Sequence, residues 1–236
     1  MKKEFSKTAE IFLCLITITA AILIALCPIR SVSAADTDKD NKIEICDIAE
    51  SPAANELLYL ANSGIIPVYE KDNMVYCLPQ SEITREYVAT AIIKLLNIDA
   101  SQYESINISL IDAEEISSES LPYVKAALYL GIMPAFSDKV GNYDVISFYP
   151  SKKMTRQEAA GALGSVIGGT VASSKTSEFN DADEISNVYL ESIEKLIGLG
   201  IMQGYEDNTF KPNKNINAEE FALMLYKAKQ IGTVQS

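Results

Sequence analysis

The sequence contains no histidine, no tryptophan and only four cysteines. Without histidine it lacks the side chain that most often serves as general base or metal ligand at neutral pH. No nucleophile motif or metal-ligating cluster takes its place, and the scattered carboxylates form no glycosidase-like pair. The expectation is a non-enzymatic protein with no metal and no cofactor. Basic side chains are also few, 20 against 32 acidic, for a net charge of −12. Lys2, Lys3, Lys7 and Arg30 lie in the first 35 positions with only Glu4 and Glu10, so the remainder carries −14. Such a surface repels nucleic acid and anionic lipid, and neither is an expected partner.

One long apolar run occurs, "IFLCLITITAAILIAL" from Ile11 to Leu26, after the N-terminal lysines and before "VSAA" at Val32–Ala35. That order is the order of a secretory signal over 1–35, with cleavage after Ala34 or Ala35. The run is slightly long for a signal and slightly short for a membrane span, so retention as an N-terminal anchor is the alternative. Leu26 beside Cys27 argues against lipidation. Beyond the signal only Cys46 and Cys77 remain, too few for a disulfide scaffold. They would either pair and close the first repeat or serve as small apolar side chains.

The remaining chain is repetitive. Three glycines end apolar helical patterns, in "ANSGII" (Gly64), "LYLGIM" (Gly131) and "IGLGIM" (Gly200), spaced 67 and 69 residues apart. An aspartate precedes each pattern, at Asp47, Asp112 and Asp181, and a helix-start signal follows, at Thr84, Thr155 and Asn217. In the last repeat Tyr189, Ile193, Leu196 and Ile197 share one helical face. Gly200 suits a left-handed helix end, with Ile201 folding back as in a Schellman cap. Thr155 with Glu158 forms a capping-box pattern, Asn217 with Glu220 a looser one, and Tyr87 stands at the glutamate position after Thr84. The domain reading is therefore an acidic spacer 36–43, repeats at 44–97, 110–167 and 179–230, linkers at 98–109 and 168–178, and a tail 231–236. The loops "VYEKDNMVYCLP" and "FSDKVGNYDVISFYP" alternate aromatic and β-branched residues, a pattern suited to short paired strands.

"FNDADEISNVYLESIEKLIGLGIMQGYEDNTFKPNKNINAEEFALML" resembles a repeat of the S-layer homology (SLH) family. Its pattern runs Phe-x-Asp, a helix, Gly-Ile, Gly-Tyr-x-Asp-x-Thr-Phe-x-Pro, then Thr-Arg-x-Glu opening a second helix. The earlier repeats match at Asp47, Gly64-Ile65, Pro79 and "ITRE", and at Asp112, Gly131-Ile132 and "FYPSKKMTRQE". The resemblance implies a mainly α fold, three helix–loop–helix units in a pseudo-threefold spindle with grooves between neighbours. It also implies a secreted, cell-wall or cell-surface protein held non-covalently by a secondary cell-wall polymer, an acidic and often pyruvylated glycan linked to peptidoglycan. The alternative is an interaction module with degenerate grooves that contacts other envelope proteins.

Carried over by motif, the glycan-binding residues are Arg85, Arg156, Asp47, Asp112, Asp181, Gly204 and Tyr205. Ala218 replaces the third arginine, and the family's aromatic at the first helix start aligns with Pro52, Glu119 and Val188. Arg85 and Arg156 follow helix caps, where free N–H groups and the helix dipole favour an anion and a guanidinium can grip a carboxylate. Alternatively they pair with the protein's own Asp47 or Asp112. The three aspartates have helix capping as their other reading, and Tyr205 with Phe210 forms either a sugar platform or loop packing. "DTDKDNKIEICD" (Asp36 to Asp47) has aspartates at the first, third, fifth and twelfth places of a calcium loop. It lacks the glycine and the final glutamate, which favours a solvated spacer.

Overall fold

A computed structural model describes residues 43–169 and 176–232. The expected signal, most of the acidic stretch around Asp36, and the last tail residues lie outside the described residues. Among the described residues the fold is mainly helical, with six α-helices and two antiparallel hairpins. The first repeat holds α1 (Ala54–Asn62), β1 (Tyr69–Lys71), β2 (Met74–Tyr76) and α2 (Arg85–Leu95). The second holds α3 (Leu121–Tyr129), β3 (Phe136–Val140), β4 (Tyr143–Ser147) and α4 (Arg156–Val166). The third holds α5 (Asn187–Gly198) and α6 (Ala218–Ile231), joined by a loop without strands. The expected linker after residue 98 is partly ordered as a 3-10 turn, Ala100–Tyr103, which buries Ala100.

Local chemistry explains the helix ends. Gly64, Gly131 and Gly200 all adopt left-handed φ, between 65° and 71°. Ile65, Ile132 and Ile201 donate back to Leu60, Ala127 and Leu196, and the glycine N–H groups to Ala61, Leu128 and Ile197. This paired pattern is the Schellman cap. At the opposite ends Thr84, Thr155 and Asn217 cap α2, α4 and α6 with their side chains. Thr155 and Glu158 complete the reciprocal box. Glu220 does not; one of its oxygens accepts from Tyr205 and Lys214 instead.

The two helices of one repeat are not the principal packing pair. Instead α2 packs on α3, α4 on α5, and α6 returns to α1. Each second helix thus covers the first helix of the next repeat, and the series closes on itself. The second helices are the more deeply buried: all but two residues of α2 lie in the interior, and α2 touches both α4 and α6. The first helices bury one narrow stripe each, such as Leu57, Leu60 and Ala61 in α1.

A ring of main-chain bonds joins the repeats just before these inner helices. Met154 N–H donates to Ile83 O (3.0 Å), Ile83 N–H to Ile216 O (3.1 Å), and Ile216 N–H to Met154 O (3.0 Å). The first N–H of α2, α4 and α6 then goes to Lys152 O, Lys214 O and Ser81 O, and the second to Pro150 O, Pro212 O and Pro79 O. Donors that an isolated helix leaves unmet are therefore satisfied by the neighbouring repeat.

Candidate functional site

Each aspartate before a first helix fastens the loop of its own repeat. Asp47 accepts from the N–H groups of Cys77 (2.9 Å) and Leu78 (2.7 Å). Asp112 accepts from Phe148 and Tyr149, and Asp181 from Phe210 (2.8 Å) and Lys211 (2.7 Å). The second residue of each pair, Leu78, Tyr149 or Lys211, has φ between 52° and 58° and precedes a proline. A side chain resists that left-handed backbone, so two charge-assisted bonds hold it in place. The capping reading of these aspartates is corrected: Asp112 and Asp181 precede 3-10 turns but make no side-chain cap bond.

Arg85 and Arg156 reach into the next repeat's loop. Arg85 donates through Nε to Phe148 O (2.7 Å) and through Nη2 to Pro134 O (2.6 Å). Its guanidinium lies 4.7 Å from the ring centres of both Phe136 and Phe148. Arg156 repeats this with Phe210 O (3.0 Å) and Gln203 O (2.6 Å), beside Tyr205 (4.9 Å) and Phe210 (5.0 Å). Neither pairs with Asp47 or Asp112; carbonyl dipoles and ring faces stabilise the cations instead. Burial pushes both guanidiniums below their ordinary pKa, opposed for Arg85 first by Glu158 and for Arg156 first by Tyr205. The expected help from free helix N–H groups is also corrected. The first two donors of each helix are bonded to the adjacent repeat, and the third faces its cap side chain.

Beside Arg85 an open groove of about 260 Å³ runs between α4 and α5. Met133 and Pro134 form its apolar floor, Glu158 and Tyr189 its polar wall, and Val188, 81 % exposed, its lip. Glu158 accepts from Lys152 Nζ (2.9 Å) and from the Thr155 N–H (2.8 Å). Desolvation raises its pKa, but these bonds outweigh that, and the carboxyl ends below its ordinary value. At the corresponding place beside Arg156, Glu220 accepts from Tyr205 Oη (2.7 Å) and Lys214 Nζ (2.8 Å). It too is held below its ordinary value, the lysine and tyrosine bonds outweighing desolvation. One buried oxygen of Glu220, Oε2, has no partner.

Sequence reasoning missed Lys152 and Lys214, each three residues before a helix cap, and the pairing of arginine from one repeat with glutamate from the next. The recurring lysine-x-x-cap spacing was the available signal. Gly204 is required by packing: a Cβ there would sit 2.3 Å from Phe179 Cε1. Tyr205 is half-buried, its ring flanked by Arg156, Lys211 (4.5 Å) and Lys214 (5.2 Å). Phe210 is fully buried and packs on Phe179, which leaves it no sugar-facing surface. Cys46 is exposed and Cys77 buried, both as free thiols, so the pairing alternative is not formed, and only Cys77 serves as a buried apolar side chain. The calcium-loop stretch lies largely outside the described residues, and the Asp47 carboxylate that would complete it is taken by the first loop.

Among the described residues no helix is long and apolar enough to cross a membrane. Residues 112–160 and 178–222 match the family profile of the S-layer homology domain. No curated protein matches the chain.

Proposed function

Since S-layer homology domains, which are binding modules, occupy 112–160 and 178–222, we propose that this chain is a non-catalytic envelope protein attached through glycan. Its ligand is an acidic secondary cell-wall polymer, pyruvylated in the simplest case. On this reading residues 44–97 form a third, diverged repeat, and the three units pack about a pseudo-threefold axis as a spindle. Export by the N-terminal signal then brings the protein to the wall.

The observation that carries the reading is the recurrence of one polar set, arginine, lysine and glutamate, at two inter-repeat junctions, the first of which opens as a groove. Arg85 uses only Nε and Nη2 for the loop carbonyls, which leaves further donors for a ligand carboxylate. Lys152 and Lys214, bonded to Glu158 and Glu220, add local positive charge to an otherwise acidic protein. Screening over about 8 Å at physiological salt lets that local charge prevail. Tyr205 and Val188 offer apolar surface to a sugar ring. Asp47, Asp112, Asp181 and Gly204 serve the site by shaping the loops that carry these groups.

Co-sedimentation with purified, protein-free wall sacculi tests the proposal. The protein is expected to pellet with intact sacculi and to stay in solution once the polymer has been stripped. Equal pelleting with stripped walls, or none with intact ones, overturns it. A second reading, contact with other envelope proteins, draws on the β3–β4 hairpin. It exposes Val140 and Tyr143 at its tip and Ile146 nearer its base, where the N–H of exposed Ile111 bonds Ile146 O.

A further inference from the structure

The groove set is assembled across repeat boundaries. Arg85 meets Lys152 and Glu158 of the next repeat, and Arg156 meets Lys214 and Glu220. The third junction, between the last repeat and the first, places Ala218, Ser81 and Tyr87 at the same three positions, with Ser81 O receiving the Ala218 N–H. The phenylalanine whose carbonyl receives the arginine, Phe148 or Phe210, is Cys77 there. Replacements that look scattered along the sequence, at 77–87 and at 218, therefore meet at one place. The arginine, lysine and glutamate of the other two junctions are all replaced there; the charges that remain on the seam are Glu219, which accepts from Ser51, and Lys229, which lies over the Tyr59 ring.

Apolar packing has taken the place of that set. Ala218 is 2 % exposed and Cys77 1 %. Tyr87, 8 % exposed, turns its ring edge to Phe221 across the junction at 6.4 Å, and its hydroxyl is buried without a partner. Further along the same seam Tyr59 of α1 meets Tyr226 of α6 edge to face at 5.3 Å. The first and second repeats are joined by peptide chain, as are the second and third. Only the third and first are not, so only their junction must hold by non-covalent contacts alone, among them the side-chain bonds Ser51–Glu219 and Asn217–Gln80.

We propose that this junction is a permanent clasp and not a ligand groove, and that the protein therefore presents two anion-binding grooves. The count of two rests on the glycan reading; the clasp rests on the packing. A buried phenol at position 87 fills the space that an arginine would need, so restoring the family residue adds strain rather than a site.

The test pairs thermal unfolding with calorimetric titration against a pyruvylated methyl hexosaminide. The parent is expected to bind two equivalents. Lys152→Gln and Lys214→Gln, at exposed side chains, should each weaken one of the two. Tyr87→Ala should lower the unfolding midpoint by about 6–20 °C and leave two equivalents bound. Tyr87→Phe, which deletes only the unpartnered hydroxyl, should keep or raise the midpoint. Ala218→Arg should lower the midpoint without adding an equivalent. Three equivalents in the parent, or a third gained by Ala218→Arg, overturns the clasp. A midpoint lowered by Tyr87→Phe also overturns it, because the hydroxyl would then be bonded. If the parent binds none, the count of two falls with the glycan reading, and the Tyr87 midpoints alone decide the clasp.

Discussion

Replacing Asp181 by alanine removes the acceptor that Phe210 and Lys211 share, and the structure sets the size of the loss. Phe210 is fully buried and its N–H lies 2.8 Å from the carboxylate, so without Asp181 that donor has no partner. A buried donor left unmet costs about 1–3 kcal/mol. Lys211, partly exposed, can turn its N–H to water, but its φ of 56° is then held by less, and left-handed backbone costs roughly 1–2 kcal/mol. The sum is about 2–5 kcal/mol. For a chain of this size each kcal/mol moves the midpoint by about 2–4 °C, so thermal unfolding followed by far-UV circular dichroism should show a fall of roughly 4–20 °C. Asp181→Asn, which keeps one acceptor oxygen, should lose less. If Asp181→Ala unfolds with the parent yet no longer binds wall glycan, the aspartate is a ligand contact and the latch argument is wrong.

Gly204→Ala should cost about 1–3 kcal/mol in urea unfolding, because its methyl meets Phe179 at 2.3 Å; a parent-like midpoint would show that the ring moves freely. Glu158 and Glu220 have folded pKa values below their unfolded value of 4.5. Their contribution to stability is thus complete above about pH 4.5 and is lost as pH falls through the lower folded values. Glu220→Gln should flatten the acid limb of a midpoint-against-pH curve, and an unchanged slope counts against the Lys214–Glu220–Tyr205 network. In native protein lacking residues 1–35, iodoacetamide at pH 8 should label Cys46 and spare Cys77, whose thiol burial pushes up to about 12. Equal labelling by mass spectrometry would contradict the closed first loop.

Features encoded within a few residues were legible in the sequence. The three caps at Thr84, Thr155 and Asn217, the glycine ends at Gly64, Gly131 and Gly200, and strands in the first two loops all depend on local backbone chemistry. Partner choice was not legible. An apolar stripe on α5 is equally ready to cover α6 or α4, and only the inter-repeat main-chain bonds decide for α4. The same blindness hid the groove. Arg85 and Glu158 belong to different repeats, so aligning repeats compared residues that never meet and made each set look incomplete. The latch role of the aspartates was not legible because the N–H groups they hold lie about 30 residues away or more.

The ring formed by Ile83, Met154 and Ile216 also sets an order of events in time. A stacked repeat array gains stability link by link and can lose a terminal member without disturbing the rest. A closed ring has no terminal member. While Ile216 is still missing from a growing chain, the Ile83 N–H has no acceptor and Met154 O no donor. The contact of α6 on α1 brings together residues at opposite ends of the described chain. Such distant contacts make folding slow relative to an open helical array of equal length. Removing the final repeat should therefore cost the first two their cooperativity, whereas in an open array it would merely shorten the protein.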